Sequence, residues 1–291
     1  MTLSTQIKIA FFGNSEFSLA VLEELKKLGV LPEIVITTTD KARGRKMVLT
    51  PTPTKVWAEN NSIEYIEQEK LKDEAFLEKI KEFNLFIVAS YGKIIPQILI
   101  DIPKYKVINV HPSLLPKYRG PSPLQEQILN NEKNVGVSIM LMDKDIDHGP
   151  ILAQKKVNVA DWPVGFIELE KILAKEGAKL LFEILPKWIK GDVKAKEQNH
   201  NEATFTKKLE KNDGFIDLSA NPYKNYLKIL ACEEWPRAFF EVNARDKKIK
   251  VIIKKAKWSL GKLEILEVIP EGKKKMDFGD FLRGNHFFQN C

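Results

Sequence analysis

The chain has only two cysteines, Cys232 and Cys291. Two thiols so far apart cannot build the disulfide framework of a small secreted fold, so a reducing, cytoplasmic setting is expected, with Cys232 as a core thiol. Long apolar runs are absent too; none approaches the roughly 20 residues that a bilayer span needs. The start, Met1 to Lys8, is polar and lacks the apolar stretch of a signal peptide. Export and membrane insertion are therefore not expected. Histidine is scarce: His111, His148, His200 and His286 are the full set of four, and none stands at metal-ligand spacing from another. Asp143, Asp145 and Asp147 imitate the opening of a calcium loop. His148, however, stands where that loop needs glycine and Gln154 where it needs glutamate, so no metal is expected. Glycine is thin after the first strand as well. Gly13 stands alone where a dinucleotide fold would carry three, which argues against a bound dinucleotide.

What is present suits a soluble globular protein. The 291 residues are 44% hydrophobic and 29% charged, enough for one large or two modest domains with a sizeable core. The formal charge is +7, and it is unevenly placed: Phe205 to Cys291 holds 18 Lys and Arg against 12 Asp and Glu, a balance of +6. A basic C-terminal third favours a polyanionic partner, nucleic acid before membrane, because no basic amphipathic stretch accompanies it. A second basic cluster, Lys41, Arg43, Arg45 and Lys46, surrounds Gly44 in a loop between strand and helix.

Along the chain, Ile7 to Phe12 reads as a strand. The turn Gly13-Asn14-Ser15 leads into a helix whose stripe is Leu19, Leu22 and Leu25, and which stops at Gly29. Further strands follow at Glu33 to Thr38, Leu85 to Ala89 and Val107 to Val110, with helices at Thr54 to Asn60 and Asp73 to Phe83. Strands alternating with helices predict an α/β fold on a parallel sheet with covered faces. Ser122-Pro123 opens a helix to Leu129. Gly136 to Met142 and Ile151 to Val159 form a hairpin-like pair around an acidic turn, and a long helix runs from Val164 to Leu185, where Pro186 ends it. Residues 191–204 are polar and read as an exposed linker between a domain at 1–190 and one at 205–291. Beyond the linker come a helix, Pro222 to Ala231, and short strands at Ala238 to Val242, Ile249 to Ile253 and Lys262 to Val268.

The residues that carry chemistry sit where strands end. Asn109 and His111 are two apart in the strand Val107 to His111, so both side chains leave the same face. An open parallel sheet binds its ligand at that carboxyl edge. Asp147 follows in the acidic turn. An amide, an imidazole and a carboxylate together suit acyl transfer to an amine, two groups holding the oxyanion and the third managing protons.

Asn109-Val110-His111, Ser113 to Gly120, and Asp143 to Gly149 with Asp147 before His148-Gly149 resemble the signature of the 10-formyltetrahydrofolate-dependent formyltransferases. Leu49 to Lys55, Trp235-Pro236, Gly272 to Met276 and Phe281 to Gly284 narrow the resemblance to members that formylate methionyl-tRNA. The resemblance runs from Ile7 to Gly284. It implies a Rossmann-like catalytic domain followed by a small, shortened OB-like β-rich domain that binds tRNA. It also implies a monomeric translation-initiation enzyme that moves a formyl group from 10-formyltetrahydrofolate to the α-amine of charged initiator tRNA. On this resemblance Asn109 and His111 hold the oxyanion, Asp147 orients the imidazole, and no metal takes part. Ser113, Leu114, Leu115 and Pro116 line the folate site together with the loop Ala89, Ser90, Tyr91 and Gly92. Arg43, Arg45 and Lys46 touch the tRNA. Two other outcomes share the motifs: formylation of a sugar-nucleotide or purine-precursor amine, and a non-catalytic tRNA-binding protein. The chain departs from the family at Asn14-Ser15-Glu16-Phe17, expected near the methionine pocket, and at the short passage from Trp258 to Gly261.

Overall fold

The computed structural model describes residues 7–43, 48–244 and 247–284. In chain order the elements are β1 (Ile9–Phe12), α1 (Glu16–Lys27), β2 (Ile34–Thr37), β3 (Lys41–Arg43), β4 (Val48–Thr50), α2 (Pro53–Asn60), β5 (Glu64–Glu67), α3 (Glu74–Ile80), β6 (Leu85–Val88), α4 (Gln97–Ile100), β7 (Val107–His111) and α5 (Pro123–Leu129). They continue with β8 (Gly136–Leu141), β9 (Ile151–Lys156), α6 (Phe166–Lys190), α7 (Pro222–Ala231), β10 (Phe239–Ala244), β11 (Lys247–Ser259), β12 (Lys262–Pro270), β13 (Met276–Asp277) and α8 (Phe278–Arg283). Two compact units result. The first comprises Met1–Pro121, Asn134–Asn158 and Glu170–Thr206; the second comprises Ser122–Lys133, Val159–Leu169 and Lys207–Cys291.

The first unit is built on a seven-stranded sheet in the order β5-β2-β1-β6-β7-β8-β9. From β5 to β7 neighbouring strands run parallel, whereas β8 and β9 are antiparallel. The strands β1, β2, β6 and β7 are buried along their whole length, as strands covered on both faces must be. Their apolar side chains form a core with Phe12, Phe86, Tyr91 and Ile80. The alternating pattern thus yields the expected α/β fold, with three strands that the sequence reading leaves out. Glu64–Glu67 is the edge strand β5, too polar to stand out. Lys41–Arg43 and Val48–Thr50, on either side of residues 44–47, pair as the antiparallel strands β3 and β4, with Arg43 opposite Val48.

Local sequence explains the helix starts. Ser15 caps α1 and exchanges hydrogen bonds with Ser18 in a capping box, leaving few unpaired N–H groups in the first turn. Thr52 caps α2 with Pro53 in the first turn, and Asp73 caps α3. One end is misread from sequence: α6 runs to Lys190, with Pro186 inside it. A proline removes one helical hydrogen bond, but the final turn is anchored by Trp188, whose Nε1 donates to the carbonyl of Tyr105 at 2.8 Å.

Residues 191–204 are not a free linker. Ile151 and Lys196 exchange backbone hydrogen bonds of 2.8 Å each way, and Arg119 donates to Thr204 while accepting from Thr206, at 2.9 and 2.7 Å. Gln198 is 5% exposed. A polar composition here marks a segment that spends its polar groups on the first unit, which the 3.6 or 2.0 apolar periodicities cannot reveal.

The second unit centres on a four-stranded antiparallel sheet, β10-β11-β12-β13. The short passage after Trp258 is a tight hairpin: Ser259 pairs with Lys262, and Leu260 and Gly261 both have positive φ, +51° and +76°. That is the two-residue turn whose twist matches its strands. β11 is 13 residues long, where the sequence suggested five. Its inner face, α7 and α8 enclose a core of Ile229, Cys232, Phe240, Val251, Val268 and Phe281. Burial raises the Cys232 thiol to about 11, so it is an inert core group.

The helix α6 reaches the back of β7 through a missing side chain. A Cβ on Gly177 would stand 2.6 Å from Cγ1 of Val110, the residue between Asn109 and His111. Gly177→Leu should overpack that contact and lower the unfolding free energy by about 1–3 kcal/mol. A urea melt should show an earlier midpoint at an unchanged slope.

Candidate active site

Strand β7 delivers Asn109 and His111 to the carboxyl edge of the sheet. Asn109 lies beside Val88 on one side and Met140 on the other, and His111 beside Ser138. Both side chains are buried, at 8% and 4% exposure. Asp147 arrives from the turn between β8 and β9 in a left-handed conformation, φ +49°. The three sequence-predicted groups converge. Asn109 Nδ2 donates to Asp147 Oδ1 over 3.4 Å, and His111 Nδ1 stands 3.7 Å from the same oxygen. Both separations are longer than a well-formed hydrogen bond, so the amide and the ring converge on Oδ1 without closing on it.

The other atoms are fixed. Asp147 Oδ2 accepts the N–H of Gly120 at 2.7 Å. Gly120 has φ +112°, and a Cβ there would lie 2.8 Å from Thr206 O, so only glycine brings this N–H to the carboxylate. His111 Nε2 contacts the carbonyl of Tyr118 at 3.1 Å. A carbonyl can only accept, so Nε2 carries a proton and Nδ1, facing Asp147, is the variable nitrogen.

Of the residues expected to line a folate site, Ser113 and Leu115 are buried in the fold, 0% and 3% exposed, while Leu114 and Pro116 are partly exposed. The loop is held from beneath by Ser138. Its Oγ donates to Ser113 O at 2.6 Å and accepts from Leu115 N and Gln154 Nε2 at 3.0 and 2.9 Å. Gln154 also donates to Leu115 O at 2.8 Å. Ser113 and Leu115 therefore shape the loop from within, and Leu114 and Pro116 are its accessible side chains.

The second expected loop, Ala89 to Gly92, is likewise pinned. Ser18 Oγ donates to Ala89 O and Asn14 Nδ2 to Tyr91 O, both at 2.6 Å. Tyr91 points inward at 2% exposure, and its phenol is pushed upward by burial. Ser90 is exposed with φ +46°. Lys93, next along, binds Glu69 at 2.7 Å. Lys93, helped by Thr39, holds the Glu69 carboxyl down at about 2. A groove of about 580 Å³ lined by Lys72, Ile94, Pro96, Gln97 and Ile98 continues the loop.

The departure at Asn14 to Phe17 is thus a structural one: Asn14 ties two loops together, Ser15 caps a helix, and Phe17 is 2% exposed in the core. Lys55 is also internal to the fold, bridging Asp40 and Glu67 at 3.0 and 3.1 Å; the hydrogen bond to Asp40 leads in raising its pKa. Of the basic cluster, Lys41 and Arg43 fall on β3, with Lys41 exposed. Arg45 and Lys46 lie outside the described residues, as do His286 and Cys291.

Sequence reasoning missed a second layer. Arg119, quoted in the motif without a role, is 2% exposed. Its Nε and Nη2 donate to Gln198 Oε1 at 3.1 and 2.7 Å, and Nη2 also to His200 Nδ1 at 2.9 Å. His148 and His200, 52 positions apart in the chain, stack with ring centroids 4.1 Å apart. His148 Nδ1 also contacts Asp143 Oδ2 at 2.7 Å. The arginine had a signal in its motif; Gln198, within a polar stretch, had none.

Ser138→Ala should leave Ser113 O without a donor and Leu115 N–H without an acceptor in the interior. A loss of about 1–3 kcal/mol is expected for a buried group left unpaired. Chemical denaturation should register it, and amide exchange should quicken at Leu115.

The sequence matches the formyl transferase family over residues 7–185. A methionyl-tRNA formyltransferase of Halalkalibacterium halodurans is 37% identical over 96% of this chain and 95% of its own length. One from Sulfurihydrogenibium sp. is 39% identical over 84% of this chain and 79% of its own. Among solved structures, an N-formyltransferase from Helicobacter canadensis, in complex with folinic acid and dTDP-3-aminofucose, shares the fold. Its TM-score is 0.64 at 20% identity, over 87% of this chain and 88% of that one. With a family match over residues 7–185 and relatives at 37% and 39% identity over most of both chains, the chain belongs to the formyl transferase family and, within it, to the methionyl-tRNA formyltransferases.

Proposed function

We propose that this protein transfers a formyl group from 10-formyltetrahydrofolate to the α-amine of methionine esterified to initiator tRNA. The observation that carries the reading is the convergence of Asn109, His111 and Asp147 on one point at the end of β7. Family membership and the basic C-terminal third support the choice of acceptor.

The folate supplies a formyl group on nitrogen. As the amine nitrogen bonds to the formyl carbon, the formyl oxygen gathers negative charge. Asn109 Nδ2 donates to that oxygen, and so does His111 Nδ1 when protonated; the Nε2 proton stays with Tyr118. Both donors are buried and meet at one point beside Asp147 Oδ1, where the developing oxyanion draws their hydrogen bonds to itself. Losing one such donor costs about 2.7–4 kcal/mol of barrier. Asp147 Oδ1, which has only the long contacts to Asn109 and His111, is the oxygen that handles protons, since Oδ2 is held by Gly120. It takes the proton that the amine sheds and returns one to the departing folate nitrogen, directly or through a water. The charge balance closes without a further reactant.

Leu114, Pro116 and the loop Ala89 to Gly92 are the surfaces proposed to meet the folate, the first two by side chain and the loop by its backbone. Arg43, Arg45 and Lys46 and the lysines of the second unit are proposed to meet tRNA phosphates. A sugar-nucleotide amine is the second reading, because the Helicobacter canadensis protein with its aminofucose ligand shares the fold. Formyl transfer from 10-formyltetrahydrofolate, with charged initiator tRNA, charged elongator tRNA and an amino-sugar nucleotide in competition, decides between them. Initiator tRNA should take the label; label on the sugar alone would refute the tRNA assignment.

Asn109→Ala, His111→Ala and Asp147→Ala should each lower kcat by about 10²–10³ while the protein still folds. Near-native turnover in any one of them would remove that residue from the mechanism.

Affinity for tRNA should fall steeply with salt, by a log–log slope of about 0.9 for each duplex phosphate neutralised. The triple change Arg43→Ala, Arg45→Ala and Lys46→Ala should flatten that slope and leave folate affinity unaltered. A slope equal to that of the unsubstituted protein would clear the loop of any phosphate contact.

A further inference from the structure

We propose that Arg119 and Gln198 are positioning residues for Asp147, acting on its peptide while Gly120 acts on its carboxylate. The inference rests on the reading of Asp147 as the proton-handling group. Gln198 Nε2 has two hydrogens and spends them on two carbonyls, Asp147 O at 2.9 Å and Gly149 O at 2.7 Å. Its Oε1 accepts both Nε and Nη2 of Arg119. The amide is therefore fully used, and its orientation is unambiguous: a flip would set Oε1 against two carbonyl oxygens and Nε2 against a guanidinium.

This clamp has something to hold. Asp147 keeps a φ of +49°, a conformation that costs a non-glycine residue free energy and persists only where its surroundings impose it. The carbonyls of Asp147 and Gly149 flank His148, so Gln198 staples both ends of the turn. Arg119 sets Gln198 with its side chain and, through the next residue, presents the Gly120 N–H to Asp147 Oδ2 at 2.7 Å. One short segment thus fixes the aspartate at its peptide and at its carboxylate.

A packing role alone accounts poorly for these residue types. Burying a guanidinium costs more desolvation than burying an apolar side chain of its size. That burial lowers the affinity of Arg119 for its proton, and the charges of Asp147 and Asp143 act in the opposite direction. The cation is thus tied electrostatically to the same turn that it braces through Gln198.

Gln198→Glu tests the inference. The substitution keeps the volume and the pairing with Arg119 but turns a carboxylate oxygen toward the two carbonyls. We expect kcat for formyl transfer to fall between about tenfold and about a hundredfold, the range for a small misplacement of a reacting group, with KM for the formyl donor unchanged. In an Asp147→Ala background the same substitution should lower kcat no further, because residues that act through one another are not additive. Equal losses in both backgrounds would reduce the pair to general structure and overturn the inference, as would an unchanged kcat in the single variant. If Asp147→Ala itself kept full turnover, the reading of the site would fail first and this inference with it. Should Gln198→Glu not fold, Gln198→Asn withdraws the same donor by one methylene and is judged by the same criteria.

Discussion

The hydrogen bond from the Gly120 N–H to Asp147 Oδ2, at 2.7 Å, is the constraint on which the site depends. It assigns the two carboxylate oxygens different tasks, one held by backbone and one left facing Asn109 and His111. It also joins parts of the chain that are remote in sequence: the segment leaving β7, the turn between β8 and β9, and the stretch ending at Thr206 that forbids a side chain at Gly120. A backbone donor has no rotamers to lose, so it orients the carboxylate at little entropic cost. The three-way convergence near Oδ1 then follows from the pleat of β7, which sends residues 109 and 111 to one side.

Around this point the sheet edge is held by polar side chains bonded to backbone. Ser18 and Asn14 grip the carbonyls of the loop after β6, Ser138 and Gln154 grip the loop after β7, and Gln198 grips the turn after β8. Loops at the carboxyl edge of an α/β sheet carry function but contribute little apolar burial. Their rigidity has to come from hydrogen bonds, and buried ones leave no competing water to exchange with. The Glu69–Lys93 pair, strengthened by Thr39, does the same at the rim, where solvent weakens it.

The second unit answers a different requirement. Its core of Phe240, Phe281, Val251 and Val268 is made by a sheet whose outward-facing positions on β11 and β12 are largely lysine and glutamate. Alternation along β11 sends Val251 and Ile253 inward, and Lys254, Lys255 and Lys257 remain exposed. Part of the positive charge of the C-terminal third is thereby displayed on a folded surface.

Much of this was legible in the residues. The alternation of apolar strands with capped helices implied the α/β sheet, because burial on both faces demands continuous apolar runs. The i, i+2 spacing of Asn109 and His111 put both on one face, and the turn ending in His148-Gly149 supplied the carboxylate. What escaped were features with no periodic signature. β5 is polar because it lies at an edge. α6 outruns Pro186 because a tryptophan anchors its end. Residues 191–204 look like linker because they bond through side-chain amides and backbone rather than through apolar stripes. Above all, Arg119, Gln198 and Asp147 are separated by 28 and 51 positions in the chain, from Asp147 to each, and each is an ordinary polar residue in its own neighbourhood. The sequence by itself determined which strands form and which chemistry waits at their ends, since those depend on local periodicity. Only the tertiary structure decided how the aspartate is held, because that rests on hydrogen bonds between distant segments, which meet once the sheet has closed over its core.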